Sequence, residues 1–116
     1  MISSLRKRLA KVKMASFNEN AQIILDALGG VDKIKASTGK NILSRNNGNG
    51  VIIQTPVIWG KGVENVFIDL NEMGLFDLKF YNPIKGTTPK VKKIVQNVSS
   101  DQIVSVFEKQ TGIIIR

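Results

Sequence analysis

The stretch Val63-Glu64-Asn65-Val66-Phe67-Ile68-Asp69-Leu70-Asn71-Glu72-Met73-Gly74-Leu75-Phe76-Asp77-Leu78-Lys79-Phe80-Tyr81 decides the fold. Apolar side chains alternate in it, first Val66, Ile68 and Leu70, then Phe76, Leu78 and Phe80, and Asn71 to Leu75 separate the two runs. Successive side chains of a strand point to opposite faces, so this alternation predicts two strands of one hairpin, each burying one side. Folding symmetrically about Met73 sets Leu70 against Phe76, Ile68 against Leu78 and Val66 against Phe80, which makes one face wholly apolar. The same register sets Phe67 against Lys79 and Asp69 against Asp77 on the outer face. Like charges placed directly opposite repel, so both acids are expected to be solvated and partnered by lysines. Asp69-x-Asn71-x-Met73-Gly74 has the opening of a calcium loop, but Met73 offers no oxygen and the twelfth position falls on Phe80. Two oxygen ligands are missing, and no metal site is expected.

Outward from this hairpin the period-two pattern continues. Asn41 to Ser44 and Val51 to Thr55 read as strands joined by Asn46-Asn47-Gly48-Asn49-Gly50, whose residue types tolerate the positive φ of a tight turn, and Pro56 ends the second strand. Lys90 to Val98 reads as a last strand, after a loop marked by Pro83, Gly86 and Pro89. On the N-terminal side Ser16-x-x-Glu19 has capping-box spacing and predicts a helix start. The stripe Phe17, Ala21, Ile24 and Leu28 follows and ends at Gly29-Gly30, and Val31 to Ser37 reads as a short second helix stopped by Gly39. Ser99-x-x-Gln102, then Ile103, Val106 and Phe107, then Gly112, predicts a C-terminal helix, with Ile113-Ile114-Ile115 as a tail strand or a clamp on the core. The expected fold is α+β: an N-terminal helical hairpin, a mainly antiparallel sheet of four to five strands, and a C-terminal helix packed on one sheet face. Residues 16–116 form its single domain and residues 1–15 an arm.

The charge is unevenly placed. The first fourteen residues hold Arg6, Lys7, Arg8, Lys11 and Lys13 and no acid; the 17 Lys and Arg of the chain less these five leave 12 against 9 acids. A segregated basic arm points to a polyanion, because its charge gains most by displacing condensed counterions. Ile2, Leu5, Leu9 and Val12 recur between the cations at helical spacing. Plainer readings of the arm are a solvated extension, a membrane-surface helix lacking aromatic anchors, an organellar presequence, or residues upstream of an alternative start at Met14. A second basic stretch carries Lys79, Lys85, Lys90, Lys92 and Lys93. With Tyr81 and the Trp59-Gly60-Lys61-Gly62 turn it is expected to offer cations and stacking rings to single-stranded nucleic acid, DNA or RNA. The plain alternative is a solvated loop and an edge strand guarded by lysines. The two N-terminal helices also have the outline of a helix-turn-helix, but the second is barely two turns long and lacks the Arg, Asn and Gln that read bases.

Catalysis is not expected. The chain has no His and no Cys, which removes the side chain that titrates near neutral pH and the thiolate nucleophile. Gly39-Lys40 and Gly60-Lys61 have Ile34 and Thr55 where a phosphate loop requires Gly. No apolar run approaches the ~18 residues that span a bilayer, and basic residues interrupt the leader where a secretory signal needs its apolar core. No cofactor is expected. The partner is nucleic acid or, in the rival reading, an acidic protein surface engaged by a virion component or by an inhibitor of a host or defence protein. Location follows the role, host cytoplasm or virion, and the oligomeric state is open.

Ile24-Leu25-Asp26-Ala27-Leu28-Gly29-Gly30, Thr38-Gly39-Lys40-Asn41, Val66-Phe67-Ile68-Asp69-Leu70-Asn71 with Leu75-Phe76-Asp77, and Val104-Ser105-Val106-Phe107-Glu108-Lys109-Gln110-Thr111-Gly112 together resemble a family of small uncharacterised proteins encoded by tailed bacteriophages and prophages. The likeness runs from about Asn20 to Ile115. It departs at Gly74 and Phe76, where the family tends to have Asp and Tyr, and it leaves out the basic leader. It implies phage origin and a small α+β fold and supplies no activity. Ile24 to Val31 with Ile34 is also similar to the opening of the glucose-type sugar-phosphotransferase B domain, but that domain transfers phosphate through a cysteine, which this chain lacks.

Overall fold

The computed structural model describes residues 18–45, 48–56, 62–82 and 90–115. In chain order these form α1 (Glu19–Ala27), α2 (Val31–Thr38), β1 (Ile42–Arg45), β2 (Gly50–Gln54), β3 (Asn65–Leu70), β4 (Phe76–Tyr81), β5 (Val91–Val98) and α3 (Ile103–Thr111). The strands make one five-stranded sheet in the order β1-β2-β3-β4-β5, with every neighbouring pair antiparallel. Two helices precede the sheet and one follows it, so the fold is α+β, as expected.

The β3–β4 register is the one that the alternation dictates: Leu70 faces Phe76, Ile68 faces Leu78, Val66 faces Phe80, and Asp69 faces Asp77. Val66, Ile68, Leu78 and Phe80 are fully buried, together with Val51 and Ile53 of β2. α1 lies against β2 and β3 and adds Ala21, Ile24, Leu25 and Leu28 to the same core cluster; Val63, Phe76, Val98, Ile34 of α2, Ile103 and Phe107 of α3, and Ile113 complete it.

Helix ends explain where the sequence boundaries were off. Asn18, not Ser16, caps α1: its side-chain oxygen accepts from the amides of Asn20 at 2.9 Å and Ala21 at 3.2 Å. Its own amide donates to the Gly48 carbonyl at 3.0 Å and its side chain meets Asn49, so the cap also ties α1 to the β1–β2 turn. An Asn can accept from the free first-turn amides as well as a Ser, and here the turn holds it in place. Replacing Asn18 by Ala is expected to cost about 1 kcal/mol, read as a lower urea midpoint, whereas Asn18→Asp, which keeps the acceptor, should stay near the parent.

α1 ends in a Schellman arrangement, with Gly30 N–H on the Leu25 carbonyl at 2.9 Å and Gly29 N–H on the Asp26 carbonyl at 3.1 Å. α2 and α3 share a different ending. Each closes on Thr-Gly, where the buried Thr hydroxyl donates to the carbonyl four residues back, Thr38 to Ile34 at 2.9 Å and Thr111 to Phe107 at 2.8 Å. The same oxygen accepts the amide two residues on, from Lys40 and Ile113, both at 3.1 Å. Gly39 and Gly112 take the left-handed conformation that turns the chain.

The capping box read at Ser99 does not form. The Ser99 hydroxyl meets the side chains of Asp101 and Gln102 rather than a first-turn amide, its carbonyl accepts the Ile103 amide at 3.0 Å, and α3 begins at Ile103, directly after the box, with no side-chain cap. The tail is not a strand. Ile113 is buried, Ile115 packs on the core, and the Ile115 amide donates to the Glu108 carboxylate at 3.0 Å, which makes the tail a clamp.

Candidate functional site

The buried face of the sheet uses Val51, Ile53, Val66, Ile68, Leu78 and Phe80, so the residues between them point the other way. That outer face is laid out in three cross-strand rows. Arg45, Gly50, Asp69 and Asp77 form the first; Leu43, Ile52, Phe67, Lys79 and Ile94 the second; Gln54, Asn65, Tyr81 and Val91 the third. Leu43 is 45% exposed and Ile94 50%, so the margins of the second row lie open.

The first row sets one cation, Arg45, against two acids, Asp69 and Asp77. Arg45 and Asp69 belong to strands on either side of β2, roughly 10 Å apart, yet Arg45 Nη2 lies 3.1 Å from Asp69 Oδ2. They meet over Gly50, the β2 residue between them: a Cβ there would overlap the Asp69 carboxylate and come within 3.0 Å of Arg45 Cγ. The guanidinium carbon also stands 4.8 Å from the centre of the Phe67 ring, in cation–π range. Arg45 Nε is buried without a partner, so the pair is end-on rather than bidentate and the ring contact is its second support.

Asp77, across from Asp69, is held by asparagines. Its Oδ1 accepts from the Asn71 side chain at 3.1 Å and from the Asn97 amide at 3.0 Å. Asn71 in turn donates to Asn97 Oδ1 at 2.8 Å and accepts from the amides of Met73 and Leu75 at 2.9 and 3.1 Å. Asn97 sits at a β5 irregularity with φ 57°, a backbone that Asn adopts more readily than most residues. Separate donors for the two acids, an arginine and asparagines rather than lysines, correct the sequence expectation. Asn71 organises the β3–β4 turn. Among the described residues no group of three acids gathers to hold a metal ion, and no helix is long and apolar enough to cross a membrane.

The second and third rows carry the rings. Phe67 and Tyr81, diagonal neighbours on β3 and β4, have centroids 4.6 Å apart and planes tilted by 41°. Lys79 stands exposed beside them, directly across from Phe67. Gln54 and Asn65, at the β1 side of the third row, also line an open cleft of about 260 Å³ with Lys40, Thr55 and Glu64. At the other end Lys90 is exposed, and its carbonyl accepts the Asn82 amide at 2.9 Å just past Tyr81.

Of the residues singled out from the sequence, Lys79 and Tyr81 thus share the outer face, and Lys90 flanks it. Lys92 and Lys93 are exposed on β5, but Lys93 pairs with the inward-facing Phe80 and lies at a register shift, so it is not in line with Lys79. Arg6, Lys7, Arg8, Lys11, Lys13, Lys85 and the Trp59 turn lie outside the described residues. Arg45 and Phe67 escaped the sequence reading as site residues. The signal available was Gly50 in a strand, a position that marks close approach of neighbours. Comparison with protein-family models, with curated proteins and with solved structures finds no match to this chain.

Proposed function

We propose that this chain is a non-enzymatic phage accessory protein that binds nucleic acid through its basic arm and the outer face of its sheet. The observation that supports this most is the gathering of Phe67, Tyr81, Lys79 and Arg45 on a sheet face whose acids are already engaged by other groups. Rings offer flat apolar area and Lys79 offers charge to phosphate, a combination that fits a polyanion carrying aromatic bases. The first described residue, Asn18, is bonded to the β1–β2 turn beside Arg45 and Gly50. Extended chain covers at most ~3.3–3.6 Å per residue, so Lys13, five positions before Asn18, has a reach of roughly 17 Å, comparable to the ~19 Å width of five strands. Arm and sheet face are thus close enough for one ligand to meet both. The phage part of this reading rests on the motif likeness described above.

Binding through phosphates depends steeply on salt. Each contact lowers the slope of log affinity against log salt by roughly 0.7 for single strands and 0.9 for duplexes. Replacing Arg6, Lys7, Arg8, Lys11 and Lys13 by Gln in the full chain should therefore flatten that slope by roughly 3.5 to 4.5 if all five meet phosphates, measured by fluorescence anisotropy over a salt series. No binding by the parent to DNA or RNA at low salt defeats this reading and leaves the protein-partner alternative, for which the exposed Leu43, Val91 and Ile94 are the contact residues to test. Finding the chain in purified particles, or only in infected cells, separates a virion component from a regulatory protein of the host cytoplasm.

A further inference from the structure

Resting on the nucleic-acid reading, we infer that the ligand is single-stranded, with unpaired bases on the Phe67–Tyr81 platform and the backbone running across the strands along the third row, from Lys40 toward Lys90. Three observations carry this.

The rings are presented on a broad sheet. Five strands at ~4.8 Å spacing span roughly 19 Å, too wide to enter a major groove of about 12 Å. In a duplex the base faces are stacked on one another, so the platform would have nothing to receive. In a single strand they are free, and every base has such a face.

The charges on the face are graded. Asp69 and Asp77 occupy the first row, at the end of the strands near Arg45 and Asn97. Lys79 lies in the second row, and Lys40 and Lys90 flank the two sides of the third. With Arg45 paired to Asp69, Asp77 is the uncompensated acid of the first row, so phosphates are drawn toward Lys79 and the two flanking lysines, which sets the path of the strand.

The third row also offers groups able to read base edges. Gln54 and Asn65 line the cleft next to Tyr81, and each side-chain amide both donates and accepts. Glu64 shares the cleft, which fits an edge bearing an amino group better than a phosphate. Arg45 is a positioning residue here. Held by Asp69, it supports the Phe67 ring from the first row.

The test uses the full chain and four short probes labelled with the same dye: single-stranded DNA, the matching RNA, the duplex, and an abasic sugar-phosphate strand of equal length. Tyr81→Ala and Phe67→Leu should each weaken binding of the single strands by about tenfold, within the range that stacking one base contributes, and leave the abasic strand unchanged. Tyr81→Phe keeps the ring and should bind as the parent does; it also separates loss of stacking from loss of fold, since it is the milder change at the same position. The salt slope should not move in any of these variants, because no phosphate contact is removed. If Tyr81→Ala binds single strands as the parent does, or if the parent binds abasic strand or duplex as tightly as the single strand, the stacking inference is overturned while phosphate binding stands. If the parent binds none of the probes at low salt, both readings fall together.

Discussion

Replacing Phe107 by Ala is expected to remove about 3–5 kcal/mol of folding stability, the largest single effect in this molecule. Phe107 is fully buried, and with Ile103 it is the contribution of α3 to a cluster that otherwise draws on α1, α2 and the inner sheet face. Its carbonyl is also the acceptor for the Thr111 hydroxyl, so the helix end is built around it. Truncation loses the transfer free energy of the ring and leaves a cavity that surrounding Ile and Phe side chains cannot fill without leaving their own contacts. A small domain holds roughly 5–15 kcal/mol in total, so the variant should unfold at a much lower urea concentration, with the dependence on urea little changed. Ser105→Ala, on the exposed side of the same helix, serves as the neutral comparison. A Phe107→Ala midpoint within error of Ser105→Ala would show that α3 is not part of the core.

Gly50→Val is expected to cost about 1–3 kcal/mol through overpacking, and to do so at a position whose backbone is ordinary strand. The constraint is spatial. A Cβ at Gly50 meets the Asp69 carboxylate, the Arg45 chain and, at 2.9 Å, the Ile68 carbonyl oxygen, which is fixed in the sheet. A side chain there drives Arg45 and Asp69 apart and withdraws the guanidinium from Phe67. The double variant Gly50→Val with Asp69→Ala should recover part of the loss, because it clears the side-chain obstacle and leaves the backbone one. Thermal melts of the parent, the two single variants and the double give the coupling directly. A Gly50→Val protein as stable as the parent would mean that Arg45 and Asp69 do not meet over β2.

Much of this architecture can be read from residue order. The alternation from Val66 to Phe80 contains its own register, because slipping the hairpin by one residue would turn every apolar side chain to water. The glycines after α2 and α3 mark their ends for an equally local reason, since left-handed backbone is unstrained there only without a side chain. Helix starts were less legible. Asn18 and Ser16 are both good caps by type, and what favours Asn18 is its bond to Gly48, thirty residues on in the chain. Ser99 has the right partner at the right spacing, but its hydroxyl is taken by the side chains of Asp101 and Gln102 and caps no amide.

The candidate site divides the same way. That Phe67 and Lys79 share a face with Asp69 and Asp77 follows from the side-chain period of a strand, and the excess of cations in the arm is plain in the order of residues. Which groups partner those acids depends on how the other strands join this hairpin, and that Arg45 reaches Asp69 and Phe67 across a glycine depends on how β2 lies between β1 and β3. That pairing joins positions two strands apart whose local sequences carry no mark of each other. Local pattern therefore determined the elements, their burial and one hairpin's register, since each depends on neighbours in the chain. The tertiary structure alone decided the ion pair over Gly50 and the tie of Asn97 to Asp77 and Asn71, because contacts with strands outside that hairpin exist only after the sheet is assembled.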